Sequence, residues 1–354
     1  RDFCLSRGLG DVYKRQIIGD RMIYPRYIQN NDTIGVCAPS DGIANKIKQK
    51  RLDNAHKKFK EVNLNIIETN SVRKSELGES NNTKIRVKEL ESLYTNKNVN
   101  YIICASGGDF LVEILPYLNY DIIKNNIKWL QGYSDPTALL FTLTTNYDVA
   151  TIYGYNIGAY GMENWHSSIY DSINLLKGNA QTLYSLDYYE NDWYDYETGL
   201  ESFHKDYPVN WKNLYDEKEI VIHGRIIGGC LDVLLNLIGT KYDKTKEFIE
   251  KYKNDGIIWY FDNCELTSEG IRRAIWQLKE SGWFNYTNGI VFGRSMTNKS
   301  FYNISFQDAL KTACIDLKIP VIWDADIGHK CPMLSIINGC LLYTSPSPRD
   351  RQKS

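Results

Sequence analysis

Three features of the sequence predict an α/β protein with an N-terminal, mostly parallel, doubly wound domain and a C-terminal α/β domain, the functional site lying at their interface. Short apolar runs alternate with segments of helical periodicity along most of the chain. The 354 residues, 43% of them apolar, suffice for one large or two ordinary domains and exclude disorder as the overall state. A stretch from about Trp165 to Trp211, rich in Tyr, Asp, Glu and Asn and poor in periodicity, interrupts the alternation. The expected domains are residues 22–165 and 216–339, joined by a loop or linker over 166–215.

In the first domain, Asp32 to Pro39 is an apolar run closed by Pro39-Ser40-Asp41-Gly42, as expected of a buried strand and a functional loop. Ile47, Leu52, Ala55, Phe59 and Val62 then repeat at helical spacing among lysines, the pattern of a helix covering one sheet face. A strand over 64–67 and a helix over 85–94 follow. Next come a strand over 101–104, the turn Ser106-Gly107-Gly108-Asp109 and a helix through Leu111, Ile114 and Leu115. A strand over 127–131, a turn over 132–135 and a helix over 136–144 end the series. Such alternation places function at the carboxyl ends of the strands. The signal restarts with a strand at 221–227 and a helix at 231–238. Strands at 257–261, 289–292 and 320–323 then interleave with helices near 271–278 and 306–317.

Lys and Arg number 42 against 43 Asp and Glu, so no basic footprint for nucleic acid or anionic membrane exists and neither is an expected partner. The longest nearly apolar stretch, Ile226 to Gly239, contains Asp232 and falls short of the roughly 20 residues of a spanning helix. Residues 11–16 (Asp-Val-Tyr-Lys-Arg-Gln) and 340–345 (Cys-Leu-Leu-Tyr-Thr-Ser) are translations of one DNA end-sequence in opposite orientations. Residues 1–16 and 340–354 are therefore expected to be translated library adapter, set aside from the fold. Without them 35 basic residues stand against 40 acidic ones. The native chain is expected to start at Met22, with no signal region, in the cytoplasm. Its break after Gly339 is expected to leave second-domain surface or a sheet edge exposed and the chain poorly folded. The six cysteines between form no Cys-x-x-Cys pair, so neither zinc nor a disulfide framework is expected.

Ser134, in Gly132-Tyr133-Ser134-Asp135, lies between an apolar strand and a Pro-started helix. A serine on such a turn projects its hydroxyl where helix amides can stabilise an oxyanion, the physics of a nucleophile elbow. The competing role is a plain helix N-cap. Gly107 and Gly108 can bring their amides close to an anion or simply make a tight turn. Of five histidines, His56 is expected to be solvated, His166 and His204 to lie in the loop, and His223 to be half-buried in a strand. His329 follows a strand in Asp324-Ala325-Asp326-Ile327-Gly328-His329, where loops carry chemistry. Asp262 and Glu265, at the end of the strand over 257–261, are the candidate orienting acids, unless Glu265 or Ser268 only caps the next helix.

From Met22 to Gly339 the chain resembles the serine-type LD-carboxypeptidases, a family that includes the microcin C immunity hydrolases. The likeness runs through Asp32-Thr33-Ile34-Gly35, Ala38-Pro39-Ser40, Gly107-Gly108, Gly132-Tyr133-Ser134-Asp135, Gly228-Gly229, Leu237-Ile238-Gly239-Thr240, Trp259-Tyr260 through Leu266, and Gly328-His329. The resemblance implies Ser134 as nucleophile, His329 as general base and then acid, Asp262 or Glu265 orienting it, and the amides of Gly108 and Asp135 as oxyanion donors. It implies no metal or cofactor, and a homodimer. The implied reaction releases the terminal D-Ala of a murein tetrapeptide during cell-wall recycling. An alternative is self-immunity hydrolysis of peptidyl-nucleotide antibiotics, with Trp193, Tyr194 and Tyr196 stacking a base. A third is a two-domain ligand-binding protein without catalysis. Asp262 stands where the family commonly has Glu, and Ser106 where it often has Arg.

Overall fold

The computed structural model describes residues 2–5, 22–179 and 182–345. Five strands of the first sheet run parallel in the spatial order Asn65–Glu68, Thr33–Cys37, Val99–Cys104, Trp129–Gly132, Thr151–Tyr153. The chain moves outward from Thr33–Cys37 to Asn65–Glu68, then crosses back to Val99–Cys104. That reversal is a topological switch point, with a crevice outside the carboxyl ends of the two central strands. The loops leaving those ends carry Ser40 and Gly107-Gly108.

Local chemistry accounts for the covering helices. Asn45 caps the helix Lys46–Glu61 by accepting the amides of Ile47 and Lys48, and the helix buries Leu52, Ala55 and Phe59 against the sheet. Asn82 caps Thr83–Thr95 in the same way. The helix Thr137–Tyr147 is different, because it packs on both Thr151–Tyr153 and Ile222–Cys230, one strand from each sheet. Covered all round, it is buried continuously from Thr137 to Thr145 and has no polar face.

The second sheet has four parallel strands in sequence order, Ile222–Cys230, Ile257–Asp262, Thr287–Gly293 and Val321–Ala325. Lys212–Asn213 pairs antiparallel beyond Val321–Ala325. On the other side Leu341–Ser345, Asp2–Leu5 and Thr182–Tyr184 extend it, all antiparallel. Two of these strands come from the end segments set aside above, and Leu341–Ser345 pairs along the Ile222–Cys230 edge. The rest of those segments, residues 1, 6–16 and 346–354, lies outside the described residues.

Three expectations are corrected, and one strand is added to them. The segment 166–215 is not all loop: the helix Ser167–Leu176 buries Ile169, Ile173 and Leu176, a helical spacing masked by polar neighbours. The helix expected at 231–238 stops at Leu234, after which the backbone tightens to i→i−3 bonds, Asn236 N–H donating to the Val233 carbonyl and Leu237 N–H to that of Leu234, both at 3.0 Å. Thr267, not Glu265 or Ser268, caps the helix Ser268–Glu280. The three-residue strand Ile336–Asn338, too short to give a periodic signal, leaves the second domain to add an antiparallel edge to the first sheet beside Thr151–Tyr153.

Asn338 ties the sheets together there. Fully buried, its side chain accepts the Gly228 amide at 3.2 Å and the Tyr260 hydroxyl at 3.0 Å, and donates to Thr151 Oγ1 at 3.4 Å. Asn338→Ala strands two buried donors, and should lower stability to urea unfolding by about 2–3 kcal/mol. A loss under about 0.5 kcal/mol would deny the junction this role.

Candidate active site

Ser134 follows the strand Trp129–Gly132 and has φ 69°, a left-handed conformation that costs a non-glycine residue roughly 1–3 kcal/mol. The following helix is entered at Pro136 without a side-chain cap, so Ser134 does not serve as an N-cap. Its side chain lines a cleft of about 870 Å³ and its Oγ makes no hydrogen bond among the described residues. Gly107 faces it closely: a Cβ there would lie 3.0 Å from both Ser134 Cβ and Oγ.

Beneath this turn, Asp135 points its carboxylate into the protein, accepting the Ser40 hydroxyl and, at 2.8 Å, the Leu111 amide. Asp41 N–H donates to the Gly107 carbonyl at 3.1 Å. Three strand-end loops are thereby fixed to one another, with Gly107 beside Ser134. Burial pushes the Asp135 carboxyl above its ordinary range against the pull of these donors.

His329 comes from the second domain and lines the same cleft. Its Nδ1 lies 2.6 Å from Asp262 Oδ2, and its backbone N–H donates to Asp262 Oδ1 at 3.3 Å. Gly328, at φ 94°, permits that approach, since a Cβ there would sit 1.8 Å from Oδ1. Nδ1 thus faces the Asp262 carboxylate. Burial opposes protonation of His329, but the Asp262 carboxylate, with Cys264 beside the ring, outweighs it and holds the imidazole up to about 10.

The loop bearing His329 is anchored by a second buried ion pair, Arg294 to Asp326 at 2.6 Å. Arg294 also donates to the carbonyls of Lys330 and Pro332, while Asp326 accepts the Leu186 amide and the Trp211 indole. On the other side, Asp232 accepts the successive amides of Cys264, Glu265 and Leu266 at 2.9–3.0 Å, shaping the turn just after Asp262. Over the cleft stands an aromatic wall: the Trp193 ring lies 6.3 Å from His329, Tyr194 stacks on His204 at 4.0 Å, and Tyr196 packs 4.2 Å from the Arg51 guanidinium.

The structure brings Ser134, Gly107, Gly108 and His329 to one cleft, with Asp262 behind His329. Of the two candidate acids it places Asp262 on His329; Glu265 is exposed on the turn held by Asp232. His56 is not simply solvated but lies 2.5 Å from Glu68, His166 caps the helix Ser167–Leu176, and His223 is exposed rather than half-buried. Among the described residues no three His, Cys, Asp or Glu side chains are grouped to hold a metal ion, and no helix is long and apolar enough to cross a membrane. Asp232 and Tyr153 escaped prediction, although a lone carboxylate in an apolar run marked the first. Tyr153 ends a strand of three residues, and its hydroxyl donates to Asp262 Oδ2 at 2.7 Å.

Since the folded imidazole is raised, the pair stabilises the fold fully below the unfolded value of ~6.5, and that contribution fades as pH rises through about 10. In Asp262→Asn the NMR titration midpoint of His329 should fall to ~6.5 or lower. A midpoint unchanged by the substitution would show that Asp262 does not set the charge.

Models described as the LD-carboxypeptidase N-terminal domain and the LD-carboxypeptidase C-terminal domain match residues 34–154 and 223–342. The chain is 27% identical over 326 residues to a Vibrio cholerae protein named as a candidate carboxypeptidase, covering 88% of this chain and 92% of the relative. It is 21% identical over 330 residues to a Bacillus subtilis protein named as a candidate murein peptide carboxypeptidase, covering 88% of each. Its fold is similar to that of a microcin C7 self-immunity protein solved with aspartyl sulfamoyl adenosine, with a TM-score of 0.77, 22% identity, and coverage of 92% and 99%.

Proposed function

The chain belongs to the LD-carboxypeptidase family, and from that premise we propose that Ser134, His329 and Asp262 form the catalytic triad of an enzyme releasing the terminal D-Ala of murein tetrapeptides in cytoplasmic cell-wall recycling. It is a serine-type carboxypeptidase, a hydrolase. The observation that carries the triad is the convergence, in one cleft, of a serine at positive φ and a histidine paired through Nδ1 to a buried carboxylate. The seven cysteines from Cys37 to Cys340 are free thiols, which supports a reducing compartment. A homodimer is part of the same proposal, on the family resemblance.

In the proposed reaction, neutral His329 takes the Ser134 proton through Nε2 as Oγ attacks the carbonyl before the terminal D-residue. The amides of Gly108 and Asp135 meet the developing oxyanion, and Asp262 stabilises the imidazolium. His329 then protonates the departing D-Ala amine, and afterwards serves as base for the water that hydrolyses the acyl-serine. Ser134→Ala should remove tetrapeptide hydrolysis by at least about 10³-fold; activity near the parent level would sink the serine mechanism. Because Asp262 holds the free imidazole charged up to about 10, kcat/KM should climb with pH on an alkaline limb. A profile flat from about pH 6 to 9 would contradict that base.

The aromatic wall favours a second reading. Trp193, Tyr194 and Tyr196 line the cleft beside His329, and the self-immunity protein of like fold was solved with a nucleoside conjugate. An aminoacyl sulfamoyl adenylate would then be cut by the same residues, its base stacked on the wall. In that reading Trp193→Ala raises KM for the adenylate about 10-fold and leaves tetrapeptide turnover unchanged; equal losses on both substrates would remove the distinction.

A further inference from the structure

We propose that Tyr153 is a positioning residue for the acid–histidine pair, its hydroxyl fixing the Asp262 carboxylate of one domain against the Ser134 turn of the other. The proposal rests on the triad reading above. Tyr153 ends the strand beside Trp129–Gly132, in register with Gly132, two residues before Ser134. Its hydroxyl donates to Asp262 Oδ2 at 2.7 Å, the same oxygen that lies 2.6 Å from His329 Nδ1. From the other side it accepts the Ser134 N–H in a long contact of 3.5 Å.

One buried oxygen thus touches the backbone of the nucleophile and the side chain of the acid. Burial pushes the phenol well above its ordinary range, so it stays a neutral donor. A carboxylate oxygen shared between two donors pulls less on each. Without the hydroxyl, more of the charge on Oδ2 falls on His329, which then holds its proton more tightly, while the Ser134 turn loses its tie to the second domain.

Tyr260 supplies the control. Its ring centroid lies 5.5 Å from that of Tyr153 and it is as deeply buried, but its hydroxyl donates to Asn338, not Asp262. The experiment compares Tyr153→Phe with Tyr260→Phe in the full chain, measuring kcat, KM and the pH profile of kcat/KM on murein tetrapeptide, together with melting temperature. Tyr153→Phe should lower kcat about 10-fold, leave KM within about twofold, and move the alkaline limb upward by about half a unit. Tyr260→Phe should leave the limb in place whatever it does to melting. An unmoved or lowered limb in Tyr153→Phe, or an equal shift in Tyr260→Phe, overturns the proposal. Should Tyr153→Phe fail to fold, 3,5-difluorotyrosine at position 153, a stronger donor of the same shape, should lower the limb, and no movement there overturns it. Tetrapeptide hydrolysis surviving in Ser134→Ala would instead defeat the triad reading itself.

Discussion

A carboxylate and an imidazolium withdrawn from water together each lose several kcal/mol of hydration, and their attraction offsets this only when the remaining lone pairs find donors. The Asp262–His329 contact is the interaction on which the site depends, and the surrounding structure meets that condition. Asp262 takes the His329 ring and amide on one side and the Tyr153 hydroxyl on the other. Gly328 removes the side chain that would keep the histidine loop away. The bare turn at Gly328 lets that loop close on the short Asp262 side chain. A second buried pair, Arg294 with Asp326, holds the loop from behind.

Ser134 obeys a complementary constraint. The positive φ at Ser134 persists only because its surroundings over-determine it. Asp135, Ser40 and Leu111 knit the strand-end loops below it, and the helix that follows is clamped between both sheets. Burial on every side makes that helix a rigid mount and a shared wall of the two domains. The strand Ile336–Asn338 returns to the first sheet just after the histidine loop. Ser134 and His329 are thus referred to the same framework.

The main features of this framework were legible in the sequence, because buried parallel strands read as apolar runs and chemistry gathers at their carboxyl ends. Ser134, Gly107-Gly108 and His329 were singled out that way, along with the alternation that predicts two α/β domains. Asp262 and Glu265 could not be separated by spacing, since both stand near one strand end; only the fold shows which faces His329. Tyr153 was hidden because a three-residue strand has no period to detect. The helix Ser167–Leu176 was hidden by the polar, tyrosine-rich composition around it, and Ile336–Asn338 by a pairing with residues nearly two hundred positions away. Long-range pairing and side-chain direction are the properties that periodicity does not carry.

The central claim is that a serine of the first domain is acylated with the help of a histidine of the second. Acid-quenching the protein within milliseconds of mixing with murein tetrapeptide, followed by peptide mass mapping, tests it directly. The account predicts a tripeptide acyl group on the fragment containing Ser134, absent in Ser134→Ala. Turnover with no acyl-enzyme under conditions where deacylation is slowed, or an acyl group on Cys264 beside His329, would contradict it.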